Sequence, residues 1–190
     1  MSLSLPNKLT VARIFFIPIF LLVFFIPELP LKNFILTLIF FIAGVTDWYD
    51  GHLARKLNLQ SAFGAFLDPV ADKLMVATAL VCLVSTYPSF GVIISSVIIV
   101  GREITISALR EWMAFVGEKS KVKVNWIGKI KTTAQMLAIG FMLYQVPLFG
   151  IPTLLVGKIL LYLAAGLTLW SMFGYLKAAW PSLYESQENQ

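Results

Sequence analysis

Continuous apolar runs make up most of the chain, and they exclude most folds before any motif is considered. Between breaks at 27–30, 58–61, 87–89, 118–125 and 146–152, six runs extend over roughly 9–26, 31–57, 61–86, 90–117, 127–147 and 152–178. A helix crosses a hydrocarbon core with about 20 residues, the length these runs approach or exceed. They lack the in–out alternation of a membrane barrel. Proline and Ser/Asn clusters stand at the breaks, where helix ends want them. Only 13% of the residues are charged and 58% are hydrophobic, whereas a soluble domain carries roughly 25% charged residues. That is too little charge to coat a water-facing surface. The expected fold is all-α, a polytopic membrane protein with six transmembrane helices. A single domain is expected over 1–180, with a loose polar tail over 181–190.

Within the first run, the apolar stretch from Ile14 to Ile26 follows Lys8 and Arg13 and resembles a signal peptide in outline. No small-residue cleavage site follows it, so it reads as a retained span. Cys82, the single cysteine, lies in an apolar run and reads as a small buried hydrophobe. Of fifteen Lys and Arg, Lys32 and Lys158 fall toward one side and the other thirteen toward the opposite side. The positive-inside bias then places both termini and the connection around 118–125 in the cytoplasm. Anionic headgroups account for much of the net charge of +5, which requires no nucleic acid.

All four aspartates fall within 26 positions: Asp47, Asp50, Asp68 and Asp72. Charge at membrane depth is costly and usually functional. On a helix, Asp47 and Asp50 stand about 60° apart and Asp68 and Asp72 about 40° apart, so each pair shares a face. A turn near residue 59 sets Asp50 opposite Asp68 and Asp47 opposite Asp72. Each lies about 15–18 Å from that turn, near the cytoplasmic boundary of the core. Four close carboxylates need a compensating positive charge. Hard oxygen ligands favour Mg²⁺ or Mn²⁺, as one or two ions. A salt-bridge network with Arg55, Lys56 and Lys73 is the alternative. It does not require Gly51, Ala54 and Gly64 on the same faces, where small residues admit something wide. Close helix packing is a second use for those three.

The string Asp47-x-x-Asp50-Gly51-x-x-Ala54-Arg55, eight residues, then Gly64-x-x-x-Asp68-x-x-x-Asp72 resembles the signature of the CDP-alcohol phosphatidyltransferase family, with every spacing intact. The resemblance implies that Asp47, Asp50 and Asp68 ligate one metal, with Asp72 helping to hold a second and serving as general base. It implies that Asp50, Gly51, Ala54, Arg55 and Gly64 cradle the CDP moiety of the lipid, and that the enzyme is a homodimer. Pro6-Asn7-x-x-Thr10-x-x-Arg13 resembles the nucleotide-contacting segment of the subgroup making phosphatidylglycerophosphate. Read alone, Asn7, Thr10 and Arg13 share one helical face and suit anchoring at the membrane interface.

Arg102-Glu103, Ser107-Ala108-Leu109-Arg110-Glu111 and Gly128-Lys129-Ile130-Lys131-Thr132-Thr133-x-Gln135-Met136 supply the remaining polar groups. Arg102, Arg110, Lys129 and Lys131 form an expected basic pocket for an acceptor that carries its own phosphate, with Glu103 and Glu111 orienting the arginines. Loop charge obeying the positive-inside bias is the other account of Lys119, Lys121 and Lys123. These segments, with Leu169-Trp170-Ser171-Met172, resemble bacterial phosphatidylglycerophosphate synthases. That implies CDP-diacylglycerol as donor, sn-glycerol 3-phosphate as acceptor, and the bacterial cytoplasmic membrane as location. Rivals within the family make phosphatidylserine, phosphatidylinositol phosphate or cardiolipin. A prenyltransferase would carry its aspartates on well-separated helices. A divalent-cation transporter would spread acidic residues over several. The only histidine, His52, stands on a different face from Asp50 and reads as interface-facing.

Overall fold

A computed structural model describes residues 5–56, 62–115 and 126–188, with side chains described for 10–46, 67, 69–115, 130–177 and 180. Among them are six helices: α1 (Leu5–Phe25), α2 (Lys32–Lys56), α3 (Ala62–Thr86), α4 (Phe90–Phe115), α5 (Trp126–Tyr144) and α6 (Thr153–Glu188). These follow the apolar runs to within a few residues, save at two ends: α1 begins before the first run, and α6 extends well past the last. The expectation of a loose tail after Pro181 is corrected over residues 181–188, which continue α6. An already formed helix extends without a new nucleus, and Leu, Glu and Gln are good helix formers.

α1 packs against both α2 and α3, more extensively than those two pack against each other. α6 packs against α5 and α4, and the two groups meet along α2–α5, α3–α4 and α3–α5. The main core draws Phe20, Phe40, Leu80, Ile99, Ile139 and Leu161 from all six helices. Alanines 79, 138 and 164 are fully buried, as expected where small residues let helices approach. A second cluster of Ile106, Leu109, Met113 and Tyr175 joins α4 to α6.

Large apolar side chains are exposed on every helix, among them Leu22, Phe41, Val81, Val97, Leu137 and Leu163. Helices apolar on their outer faces as well as their inner ones belong in lipid. Segments 69–86, 90–115 and 153–177 are long and apolar enough to cross a membrane, and 10–25 and 32–46 are shorter apolar stretches. The chain is thus an integral membrane protein. At the end bearing the α1–α2 and α3–α4 turns, Lys32 donates to the Ile26 carbonyl and lies over the Phe24 ring. Lys158 lies over Tyr87. Both cations are held by aromatic rings at this end, as long basic side chains are at an interface.

α5 and α6 are joined by a two-residue turn within 145–152. Leu148 and Ile151 exchange backbone hydrogen bonds, with Phe149 and Gly150 both at positive φ, the geometry of a type I′ turn. Deeper in this pair, a Cβ on Gly157 would stand 2.6 Å from Met142 Cγ and 3.0 Å from the Ala138 carbonyl oxygen. The Gly157→Ala variant is expected to lose about 1–3 kcal/mol by forcing the backbones apart, read as a lowered Tm in detergent. Gly166→Ala on the same helix meets nothing within 4 Å and serves as the comparison, expected to leave Tm unchanged or raised.

Candidate functional site

The polar groups of the described residues converge from both sides of the bundle. α2 is helical through 47–50 and α3 through 68–72, so each aspartate pair keeps the shared face its spacing implies. α3 stays helical through Pro69, whose missing N–H removes the i→i−4 bond to the carbonyl of residue 65, in the turn just before Asp68. Asp72 is exposed and lines a cavity of about 10 Å³ with Arg13, Phe40, Gly44 and Met136. Gly44 lies three residues before Asp47 on α2. The observed register therefore brings Asp72 to within one turn of the level expected from the hairpin.

Arg13 and Thr10 are each only 1% exposed. Anchoring at the membrane interface is thus not their role. α1 turns both inward, and Arg13 reaches the aspartate helix because α1 packs against α2 and α3 together. The side chains of Asn7, Asp47, Asp50, Arg55, Asp68 and Lys129, and the local surroundings of Gly51, Ala54 and Gly64, lie outside the described residues. So do His52, Lys119, Lys121 and Lys123. For the aspartates the chemistry of the donor set is the available test. Pairs spaced i,i+3 and i,i+4 on two helices that pack together offer oxygen donors only, which fit a hard divalent cation.

On the other side, α4 and α5 build a cationic cluster. Arg102 Nη1 donates to Glu103 Oε1 at 2.9 Å, and Lys131 Nζ donates to the same oxygen at 2.7 Å. Arg102 is 7% exposed and Lys131 2%. Two buried cations therefore share one carboxylate, leaving a local excess of one positive charge. Arg110 adds a further cation: it and Arg102 lie over the Tyr175 ring at 5.7 and 5.6 Å. Arg102 Nη2 also approaches Ser171 Oγ at 3.5 Å. Arg102 Nε and Gln135 Oε1 are buried without a hydrogen-bond partner among the described residues. Removing charge from water is expensive unless it is balanced, so an unbalanced buried cluster suits an anion.

The two halves adjoin. Glu103 lines a cavity of about 130 Å³ with Lys73, the residue after Asp72. On α5, Met136 touches the Asp72 cavity five residues after Lys131. Of the residues expected from sequence, the structure brings Arg13 to Asp72 and Arg102 to Lys131, with Arg110 beside Arg102 across an aromatic ring. That ring, Tyr175, escaped the sequence reading. It stands four residues after Ser171, on the same face of α6, and no local signal ties it to arginines some 70 positions away.

Comparison with known proteins gives a consistent family. Residues 3–170 match the family model of CDP-alcohol phosphatidyltransferases. A Haemophilus influenzae protein named CDP-diacylglycerol–glycerol-3-phosphate 3-phosphatidyltransferase is 52% identical over 186 residues, 98% of each chain. Proteins of the same name from Escherichia coli K12 and Shigella flexneri are each 49% identical, covering 94% of this chain and 96% of their own.

Proposed function

Since the chain belongs to the CDP-alcohol phosphatidyltransferase family, we propose that it transfers the phosphatidyl group of CDP-diacylglycerol to sn-glycerol 3-phosphate and releases CMP. Near-full-length relatives carry that activity in their names. The observation that carries the choice of acceptor is the pair of buried cations on one Glu103 oxygen. A site with excess positive charge favours an acceptor bringing its own phosphate over serine, a zwitterion, or a neutral alcohol.

In this reading, Asp47, Asp50, Asp68 and Asp72 hold one or two Mg²⁺ or Mn²⁺ ions. Bound there, the metal supplies charge neutralisation for the donor's diphosphate. Asn7, Thr10, Arg13, Arg55 and the small residues Gly51, Ala54 and Gly64 surround the CDP moiety. Arg102, Arg110, Lys129 and Lys131 hold the acceptor phosphate and so fix which hydroxyl faces the donor. The 1-hydroxyl attacks the phosphorus that bears diacylglycerol, and Asp72 takes its proton. A new P–O bond forms as the bond from that phosphorus to the CMP oxygen breaks.

All six helices span the bacterial cytoplasmic membrane, with both termini and the site on the cytoplasmic side, within a single catalytic domain over 1–180. The enzyme works as a homodimer. The reaction is tested by CMP release from CDP-diacylglycerol, with glycerol 3-phosphate, serine, inositol phosphate and phosphatidylglycerol offered in parallel. Release is expected with glycerol 3-phosphate alone, abolished by chelator and restored by Mg²⁺ or Mn²⁺. Release with another acceptor would overturn the assignment of the cationic cluster.

A further inference from the structure

The two orphaned polar atoms of the cationic region are opposite in kind. Arg102 Nε is a donor and Gln135 Oε1 an acceptor, and both are buried without a hydrogen-bond partner among the described residues. Gln135 is only 4% exposed. It stands one turn after Lys131 on α5, about 40° round the helix from it, and Met136 lies about 100° further in the same sense. Lys131 reaches Glu103 in the cluster, and Met136 lines the cavity shared by Arg13 and Asp72. Gln135 therefore projects between the two halves of the site. It is also the last polar residue of α5 before Tyr144. Over the next two turns Ala138, Ile139 and Met142 are fully buried in the main core, so Gln135 forms the floor of the polar region.

We infer that Gln135 is a specificity-determining residue, which accepts a hydrogen bond from the 2-hydroxyl of the acceptor. The inference rests on the proposed reaction. In sn-glycerol 3-phosphate the phosphate and the attacking 1-hydroxyl stand at opposite ends of a three-carbon chain, with the 2-hydroxyl between them. With the phosphate on Arg102 and Lys131 and the 1-hydroxyl toward Asp72, the middle carbon lies where Gln135 projects. A phosphate oxygen accepts from Arg102 Nε and a hydroxyl donates to Gln135 Oε1, so one molecule satisfies both buried atoms. An amide suits this position because it reads a neutral hydroxyl without adding charge to the cluster that holds the phosphate. A buried acceptor left unpaired costs more than a typical hydrogen bond gains. The site is therefore built to reject an acceptor that lacks the middle hydroxyl.

The test compares CMP release with sn-glycerol 3-phosphate and with 3-hydroxypropyl phosphate, which keeps the phosphate and the reacting hydroxyl and lacks only the 2-hydroxyl. Wild-type and Gln135→Met enzymes are assayed in detergent with CDP-diacylglycerol and Mg²⁺, and Tm is recorded for each. Wild-type kcat/KM is expected to be about tenfold to a hundredfold higher for glycerol 3-phosphate, the usual penalty for an unpaired buried acceptor. In Gln135→Met the two acceptors are expected to become nearly equal, chiefly through loss on glycerol 3-phosphate, with KM for the lipid donor unchanged. Tm should be retained or raised, because methionine is similar in length and removes the orphaned atom. Equal use of both acceptors by the wild type would overturn the inference, as would a preference that survives in Gln135→Met. A lowered Tm in Gln135→Met would overturn it too, since the amide would then serve the packing. Wild-type enzyme releasing no CMP with either acceptor would instead strike the proposed reaction itself, and the inference with it.

Discussion

Replacing Asp72 by Asn is expected to reduce CMP release by about 10²- to 10⁴-fold at saturating substrates, the usual contribution of a positioned general base. Asn keeps the size and can still accept a hydrogen bond, but it cannot take the proton of the attacking hydroxyl. Asp72 is exposed and shares its cavity with the buried Arg13, so the substitution leaves the packed core of α3 untouched. Donor binding, read as the rise in Tm on adding CDP-diacylglycerol, is expected to be largely retained. Loss of turnover with donor binding intact assigns Asp72 to the chemical step. Normal turnover would remove it from the mechanism. Loss of both together would assign it to holding the donor through the metal instead.

Lys131→Met is expected to raise KM for glycerol 3-phosphate by about 30-fold or more, while KM for the lipid donor changes little. Truncating one partner of a desolvated charge pair typically costs about 2–5 kcal/mol, and the acceptor phosphate is the partner in question. The fold should tolerate the change, because charge bookkeeping within the cluster improves. Arg102 and Glu103 remain as a balanced pair at 2.9 Å, and methionine is similar in length to the lysine stem. Glu103→Gln has the opposite signature. It leaves Arg102 and Lys131 buried without a carboxylate, so Tm should fall, and glycerol 3-phosphate or inorganic phosphate should restore part of the loss. If Lys131→Met leaves the acceptor KM unchanged, the cluster serves the fold alone and the acceptor site must lie elsewhere.

The apolar runs by themselves determined six helices and nearly all of their ends, because a backbone in lipid has to satisfy its own hydrogen bonds and a helix does so locally. The aspartate spacing likewise determined which carboxylates share a face, since 3.6 residues per turn is a property of the helix and not of its surroundings. The end of the last helix was not legible, since the polar composition of 181–188 says nothing of a helix already running into it. Nor was the direction in which Thr10 and Arg13 face. Their own periodicity fits an interface as well as a core, and only the packing of α1 against both α2 and α3 turned them inward. The joining of Arg102 and Lys131 through Glu103 depends on α4 and α5, 28 positions apart in chain, meeting at one carboxylate. Tyr175 between two arginines depends on α6 returning beside α4. Contacts between helices are set by side-chain volumes summed over whole interfaces, and no local stretch of sequence carries that sum. An apolar cavity between α2 and α5, lined by Gly44 and Gly140, is of the same kind: its glycines are visible in the sequence, but the space exists only once the two helices are placed side by side.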